Sequence, residues 1–155
     1  MENNLYYTPE ISEFYIGFEY EHLTGFEKEF KPWIYDLTSA CNIIERESIS
    51  HNGEIVKMFI PAIQACIEEK QCRVKYLDQE DIESLGWKSA GGYLNIKNFE
   101  LSTGNAEKNT KENQWKLQLK EDNKIIIEQY RWMRFFGTIK NKSELIKLMQ
   151  QLNIK

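Results

Sequence analysis

The sequence lacks the features that mark membrane, fibrous and secreted proteins. Its longest apolar runs, such as the one within 57–67, are far shorter than the roughly 20 residues that a membrane-spanning helix needs. Three prolines and eight glycines among 155 residues exclude a low-complexity or fibrous chain. The first residues, MENNLYYTPEISEFY, contain no basic segment followed by an apolar run, so no signal peptide is predicted.

Cysteine and positive charge are also scarce. The three cysteines, Cys41, Cys66 and Cys72, are odd in number and have no CxxC spacing, which indicates free thiols in a reducing compartment. Lys and Arg total 20 against 24 for Asp and Glu, and the net charge of −4 gives no electrostatic basis for non-specific DNA binding. We therefore expect a cytoplasmic protein that does not associate with membranes.

Motifs for catalysis and for cofactor binding are missing. His22 and His51 lie outside the HExxH, HxH and Cys-His spacings of metal sites, and no GxSxG, GxxxxGK(S/T) or GxGxxG occurs. Lys70 and Arg73 lie near Cys72, where they would lower its pKa, but no histidine adjoins it to act as a base. The sequence predicts no catalytic residue, no metal ligand and no cofactor, and an enzyme with an unrecognised site is the least favoured interpretation.

Hydrophobic residues, in contrast, are plentiful. They make up 41% of the chain, which is enough for a packed core. We predict a single α+β domain, 1–155, with a mostly antiparallel sheet of about five or six strands. Helical periodicity predicts two main helices at about 60–70 and 142–152, and a short helix at 79–85. The polar stretch 104–113 is predicted to be an exposed, mobile loop.

Alternation of apolar and polar residues predicts the strands. EFYIGFEYE, residues 13–21, has the period of a strand with one buried face. WKLQL and IIIEQY flank the turn sequence KEDNK and predict a β-hairpin, whose second arm continues through YRWMRFFGTI with a bulge or bend at Gly137. Segment 38–56 is compatible with a short helix or with a strand, and 50–54 supplies a turn.

Four acidic residues fall within six positions of RVKYLDQEDIESLGWK, residues 73–88, and two interpretations compete. Clustered carboxylates can bind a metal, but the calcium-loop pattern fails because no acid follows Glu83. Asp78 and Asp81 have instead the spacing of a helix N-cap and its partner three residues later. Gly86 has the place of the glycine that ends a helix. Helix capping is therefore favoured over a metal site.

The same arrangement recurs before the last predicted helix. Asn141 and Glu144 stand three positions apart, as Asp78 and Asp81 do, and Leu145 begins an apolar repeat at helical spacing. Two copies of one local design favour a structural role for the acidic residues in both segments.

The segment YRWMRFFGTIKNK, residues 130–142, is the most suggestive functional surface. Its candidate binding residues are Arg131, Trp132, Arg134, Phe136 and Lys140. On a strand, Arg131 and Met133 would face one side and Trp132 and Arg134 the other. Such a strand can stack a base and hold a phosphate. Aromatic residues are also the usual strand formers, and a hydrophobic central strand with arginines at its rim is the favoured interpretation.

Three phrases, FYIGFEYE (14–21), RVKYLDQEDIESLGWK (73–88) and FFGTIKNKSELIKLMQQLNIK (135–155), carry a resemblance. In them the chain resembles a family of small proteins from phages, prophages and other mobile elements of Bacteroidota-type bacteria. The resemblance covers only part of the chain, with the phrases in the same order. It implies an accessory protein that acts inside a bacterial cell on a host or phage component, and it implies no activity and no catalytic residue.

Two functional hypotheses follow. The leading one is a non-enzymatic cytoplasmic accessory protein that binds a protein partner or associates with itself. The alternative is a binder of nucleotide or single-stranded nucleic acid that uses the basic and aromatic strand 130–142. The two differ in the surface they require, because a protein partner needs a contiguous apolar patch and a nucleic acid needs exposed arginines.

Overall fold

The computed structural model describes residues 5–24, 28–93, 95–103 and 114–154. The chain divides into two compact units, Met1–Lys75 and Tyr76–Lys155. The described residues form four α-helices and eleven strands, and every strand pair is antiparallel. The predicted loop 104–113 lies outside the described residues, and the single domain stays a prediction.

The first unit holds, in chain order, β1 (Tyr6–Tyr7), β2 (Glu19–Leu23), β3 (Phe30–Ile34), α1 (Leu37–Cys41), β4 (Ile43–Ile49), β5 (Ile55–Pro61), α2 (Ala62–Glu68) and β6 (Cys72–Lys75). Four of its strands form a sheet in the order β1-β6-β2-β3. The other two, β4 and β5, pair only with each other among the described residues and form a two-stranded ribbon. The α+β class is therefore as predicted, but this unit alone holds six strands.

The predicted first strand, 13–21, is wrong in its first part. Ile11–Glu13 is a 3-10 turn, and the strand begins only at Glu19. Gly17 has a φ of 94°, a left-handed conformation that interrupts an extended backbone. Phe14 instead packs edge-on against Phe18, with ring centroids 5.0 Å apart, and contributes to the core of the unit.

One face of the four-stranded sheet packs against a core, and side chains on the other face link the strands to one another. The core consists of Phe18, Tyr20, Ile63, Cys72 and Val74. On the other face, the Arg73 Nε donates to Glu21 at 2.7 Å, and the guanidinium lies 3.8 Å from the ring centroid of Tyr6 and 4.0 Å from that of Phe30. These four residues lie on four different strands, so one guanidinium links the whole sheet.

The segment 38–56, which the sequence leaves open, contains both kinds of element. Asp36 caps α1 by accepting the Ser39 N–H at 2.7 Å, and β4 follows directly. The loop 50–54 connects β4 to β5 and is closed by a hydrogen bond from the Gly53 N–H to the Ser50 carbonyl at 2.9 Å. Because β4 and β5 carry apolar residues on both faces, their sequence has no alternation to read.

The second unit holds α3 (Gln79–Ser84), β7 (Lys88–Tyr93), β8 (Ile96–Ser102), β9 (Gln114–Leu119), β10 (Lys124–Gln129), β11 (Trp132–Thr138) and α4 (Lys142–Gln151). Its strands form one sheet in the order β11-β10-β9-β8-β7. The helices predicted at about 60–70, 79–85 and 142–152 are confirmed as α2, α3 and α4. The described residues form eleven strands in three sheets, so the prediction of one sheet with about five or six strands is wrong.

The core of the second unit lies between one face of its sheet and its two helices. Alternate residues of the central strands are buried, namely Trp115, Leu117, Leu119, Ile125 and Ile127. Ile82 of α3 and Leu145 and Leu148 of α4 pack in the same cluster. Burial of side chains of this size stabilises the unit by about 1.5–3 kcal/mol each. Apolar residues recur every two positions in the strands and every three or four in the helices, so each element has an apolar face. These faces pack together and join the sheet to the helices.

The hairpin that the sequence extends through residues 130–138 turns back on itself. Tyr130 and Arg131 have φ values of 46° and 73°, and Gln129 pairs with Trp132, so the two residues form a tight turn. The following strand, β11, runs antiparallel to β10 and lies at the edge of the sheet as the described residues form it. The interpretation of this segment as a hydrophobic central strand is therefore wrong.

The irregularity in β11 also lies elsewhere than predicted. The pairing register of β10 with β11 shifts between Ile127 and Glu128, which leaves Arg134 without an opposite residue and makes it the bulge. Gly137 stays in register. A Cβ at Gly137 would lie 2.7 Å from the ring of Phe135, so the glycine makes room for the aromatic ring beside it.

Candidate functional site

Large apolar side chains of β11 lie in solvent. Trp132 is 70% exposed, Met133 63% and Phe136 61%, and Tyr130 in the preceding turn is also exposed. We call these four residues the β11 surface. Soluble chains expose single apolar residues routinely, but four within seven positions at the edge of a sheet are a concentration that is typical of interaction sites.

The register assigns the β11 surface to two sides of the sheet. Met133 pairs with Glu128 and Phe136 with Ile126, and neither partner belongs to the buried row of β10. Residues opposite each other in an antiparallel pair share a face, so Met133 and Phe136 lie on the face away from the core. Trp132 pairs with Gln129 and lies on the other side, at the end of the strand. The β11 surface therefore has members on both faces of the edge strand.

Two arginines flank Trp132. Arg131 is exposed in the turn, and Arg134, also exposed, donates from Nε to the Gln129 Oε1 at 3.1 Å. The predicted alternation, with Arg131 facing the same side as Met133, fails because Arg131 precedes the strand. The guanidinium groups are therefore at the rim of the β11 surface.

Lys140 lies beyond the end of β11, apart from the other candidate residues. Its N–H donates to the Glu144 carboxylate at 2.6 Å, and its carbonyl accepts the Leu77 N–H at 2.7 Å. Lys140 is half-buried, and its backbone is part of the segment that starts α4. The other four candidates, Arg131, Trp132, Arg134 and Phe136, lie together along the turn and β11.

The turn that presents the β11 surface is strained. A left-handed backbone costs about 1–2 kcal/mol for a residue with a side chain such as Tyr130 or Arg131. The turn between β9 and β10 has the same conformation at Asp122 and Asn123, with φ of 57° and 54°, but these residue types adopt it readily. A hairpin turn of this length requires a positive φ, so the strain comes from the choice of Tyr and Arg in place of Asn and Gly, and such strain occurs often at functional segments.

The open face of the same sheet carries alternating charges rather than a basic stripe. The register aligns Lys88, Glu100, Lys116 and Glu128 across four neighbouring strands. Lys116 Nζ lies 3.3 Å from Glu100 Oε1. Because positive and negative groups alternate, this row neutralises itself and offers a phosphate backbone little attraction.

The acidic residues of the 78–83 segment cap a helix. The Asp78 carboxylate accepts the Asp81 N–H at 3.0 Å, and the Asp81 carboxylate accepts the Asp78 N–H at 3.4 Å. Gly86 follows α3 with a φ of 91°. At the start of α4, Asn141 Oδ1 accepts the Glu144 N–H at 2.9 Å. In the part of the chain that the structure describes, no three His, Cys, Asp or Glu residues are arranged to hold a metal ion.

A pair that the sequence does not suggest lies in the first unit. Cys66 Sγ is 3.4 Å from His22 Nε2, at the wall of a cavity of about 200 Å³ that Tyr20, Trp33 and Asn42 also line. The two residues are 44 positions apart, so no local motif marks them. Burial, and then the charge of Glu69, raise the pKa of the Cys66 thiol. A neutral thiol beside imidazole forms a hydrogen bond, whereas a nucleophile needs the thiolate.

Cys72 is the second thiol on which sequence and structure differ. Burial raises the pKa of Cys72 to about 12, so the expectation that its basic neighbours lower the pKa is wrong. Arg73 points to the opposite face of the sheet, where it binds Glu21. Neither thiol therefore has the low pKa of a reactive cysteine.

A comparison of the chain with protein-family models, with curated proteins and with solved structures finds no match. Among the residues with a described position, no helix is long and apolar enough to cross a membrane. The exposed residues of the β11 surface are therefore the structural basis for a functional proposal.

Proposed function

We propose that this chain is a non-enzymatic cytoplasmic accessory protein that binds a protein partner through the β11 surface. The proposal rests on the types of residue that are exposed on this surface. Tyr, Trp, Phe, Met and Arg are the types enriched in protein interfaces, and Trp, Tyr and Arg contribute most of the binding energy in many of them. The segment Tyr130–Phe136 holds all five types within seven positions.

The mode of binding follows from the bulge. A regular edge strand can accept another strand, but the bulge at Arg134 breaks the row of outward N–H and carbonyl groups. A partner therefore docks on the side chains of Trp132, Met133 and Phe136, with the arginines available for acidic groups at the rim. The resemblance to proteins of phages and mobile elements supports a partner from the host cell or from the phage.

Affinity capture with matched variants tests this proposal. Wild-type protein, Trp132→Ala, Phe136→Ala and Tyr93→Ala serve as baits in lysate of the native host. Tyr93 is the control because it is 76% exposed on β7, the opposite edge strand of the same sheet. We expect one protein to be retained by the wild type and by Tyr93→Ala and to be lost with the other two variants.

The purified partner then gives the magnitude. Truncation of a residue that dominates an interface reduces the binding free energy by about 2 kcal/mol or more, so Trp132→Ala should weaken binding by roughly 30-fold in a calorimetric titration. A partner that all four baits retain equally would bind elsewhere on the protein, and this result would reject the β11 surface as the binding site.

The alternative function, binding of nucleotide or single-stranded nucleic acid, rests on one observation. Trp132 is exposed between Arg131 and Arg134, an arrangement that can stack a base beside a phosphate. Fluorescence anisotropy with a panel of labelled oligonucleotides tests it, because Arg131→Ala and Arg134→Ala should weaken a salt-sensitive interaction. Affinity that is unchanged in both variants would reject this alternative.

A further inference from the structure

The β4–β5 ribbon, residues 43–61, exposes apolar side chains on both of its faces. The exposed large ones are Ile43, Ile44, Ile49, Ile55, Val56, Met58 and Phe59. A two-stranded hairpin by itself is marginally stable in water and needs further strands or a packed face. The ribbon has seven residue pairs in continuous register and no bulge. Among the described residues it is therefore a regular two-stranded structure with no further strand beside it.

The two outer edges of the ribbon differ in charge. The centre of β4 is Glu45, Arg46 and Glu47, and charged residues are a common means of protecting an edge from pairing. The sequence of β5 is IVKMFIP, with Lys57 as its single charge. Within the described residues no other strand pairs with the outer edge of β5. The unprotected edge of the ribbon is thus that of β5.

We propose that the outer edge of β5 pairs with β5 of a second copy of this chain, and that the two ribbons form a four-stranded antiparallel sheet. The two-fold axis passes beside Met58, which then lies opposite Met58 of the second copy. In this register Val56 lies opposite Ile60, and Lys57 lies opposite Phe59. The pairing ends beyond Ile60 because Pro61 has no N–H to donate.

The positions of the charged residues favour pairing with a second copy of the chain, and they favour β5 over β4 as the strand that pairs. In the register centred on Met58, Lys57 meets an aromatic side chain and no like charges oppose each other. Self-pairing of β4 about an axis at its centre is disfavoured, because it places Arg46 against Arg46, Glu45 against Glu45 or Glu47 against Glu47. Like charges opposite each other across two strands are destabilising, so β5 is the self-complementary edge.

This inference goes beyond the proposed function and does not rest on the β11 surface. The ribbon belongs to the first unit, and the β11 surface to the second. A chain that is monomeric yet binds its partner through Trp132 would contradict only the ribbon. A dimer whose Trp132→Ala variant retains every partner would contradict only the β11 surface.

Analytical ultracentrifugation of the full chain tests the register. We expect a concentration-dependent dimer for the wild type. Met58→Lys and Met58→Glu each place like charges opposite each other at the axis and should raise the dimer dissociation constant by on the order of 100-fold. Ser48→Lys is the matched control, since it adds the same charge to the β4 strand and should leave the dimer intact.

Mixing the two variants separates a lost interface from a lost fold. An equimolar mixture of Met58→Lys and Met58→Glu should form a heterodimer, because opposite charges then face each other at the axis. A wild-type chain that is monomeric at every concentration would overturn the proposal. So would a wild-type dimer that persists in both Met58 variants, or variants that remain monomeric when mixed.

Discussion

Side chains that accept a backbone N–H set the helix boundaries of the second unit. Asp78 and Asn141 each accept the N–H of the residue three positions later. In both cases that later residue carries a carboxylate that accepts a backbone N–H at or just before the cap. Each cap thus provides acceptors for two backbone N–H groups at or next to the helix start.

Asp78→Ala measures the value of the first cap and separates it from a metal site. We expect the free energy of unfolding to fall by about 1 kcal/mol in urea titrations, because the Asp81 N–H loses its acceptor. Glu80→Ala is the control, since Glu80 is an exposed acid of the same helix turn. The loss should be the same with and without EDTA. A loss that appears only with divalent ions present would favour a metal site instead.

Buried Cys72 gives stability a pH dependence at alkaline pH. Its pKa is raised from an ordinary 9.0 to about 12, so the folded state favours the neutral thiol. That contribution is complete below pH 9, where the unfolded thiol is also neutral, and is lost as the pH rises from 9 towards 12.

Urea unfolding at a series of pH values measures this effect. The free energy of unfolding should fall with a slope of up to about 1.4 kcal/mol per pH unit from Cys72 over that window. Cys72→Ala should have a shallower slope even though its cavity lowers the stability at neutral pH. Cys41→Ala is the control, because Cys41 is an exposed thiol. An unchanged slope in Cys72→Ala would contradict the assignment.

At the scale of elements, the two turns that connect β9, β10 and β11 differ in how well their residues suit a left-handed backbone. The Asp122-Asn123 turn has residues that suit a left-handed backbone, whereas Tyr130 and Arg131 adopt the same conformation at a cost. Replacing the second pair by Asn-Gly should raise the free energy of unfolding by about 1 kcal/mol, less than the full strain because glycine also gains freedom in the unfolded chain.

Thermal and urea denaturation of Tyr130→Asn/Arg131→Gly check this expectation. The same Asn-Gly pair at Asp122 and Asn123 is the control and should change the stability much less. If the Tyr130→Asn/Arg131→Gly variant also loses its partner, the Tyr130 and Arg131 side chains or the conformation of their turn contribute to binding. No gain in stability would show that the turn is not strained.

The elements that the sequence predicts are those with local signals. α3 and α4 have a cap at the start and apolar residues at helical spacing, and β9 and β10 alternate buried with exposed residues. The ribbon of β4 and β5 has neither signal, because both of its faces carry apolar groups. The Tyr130 turn was missed because its residues are not the Asn, Asp and Gly that mark such turns.

At the scale of the whole molecule, each unit exposes apolar groups at strand edges. In the first unit many of them lie on the β4–β5 ribbon, and in the second most lie on the β11 surface. A net charge of −4 opposes non-specific association of a chain with such surfaces, while leaving specific contacts possible. The proposed partner contact and the proposed dimer are both ways of covering these groups.

The sequence by itself determined the α+β class, the three longer helices and the caps, because these depend on residues within a few positions of one another. Only the tertiary structure decided that His22 lies beside Cys66 and that, among the described residues, β11 and the outer edge of β5 have no further strand beside them. Edge and centre differ only in which strands pair, and pairing is set by contacts between residues far apart in the chain.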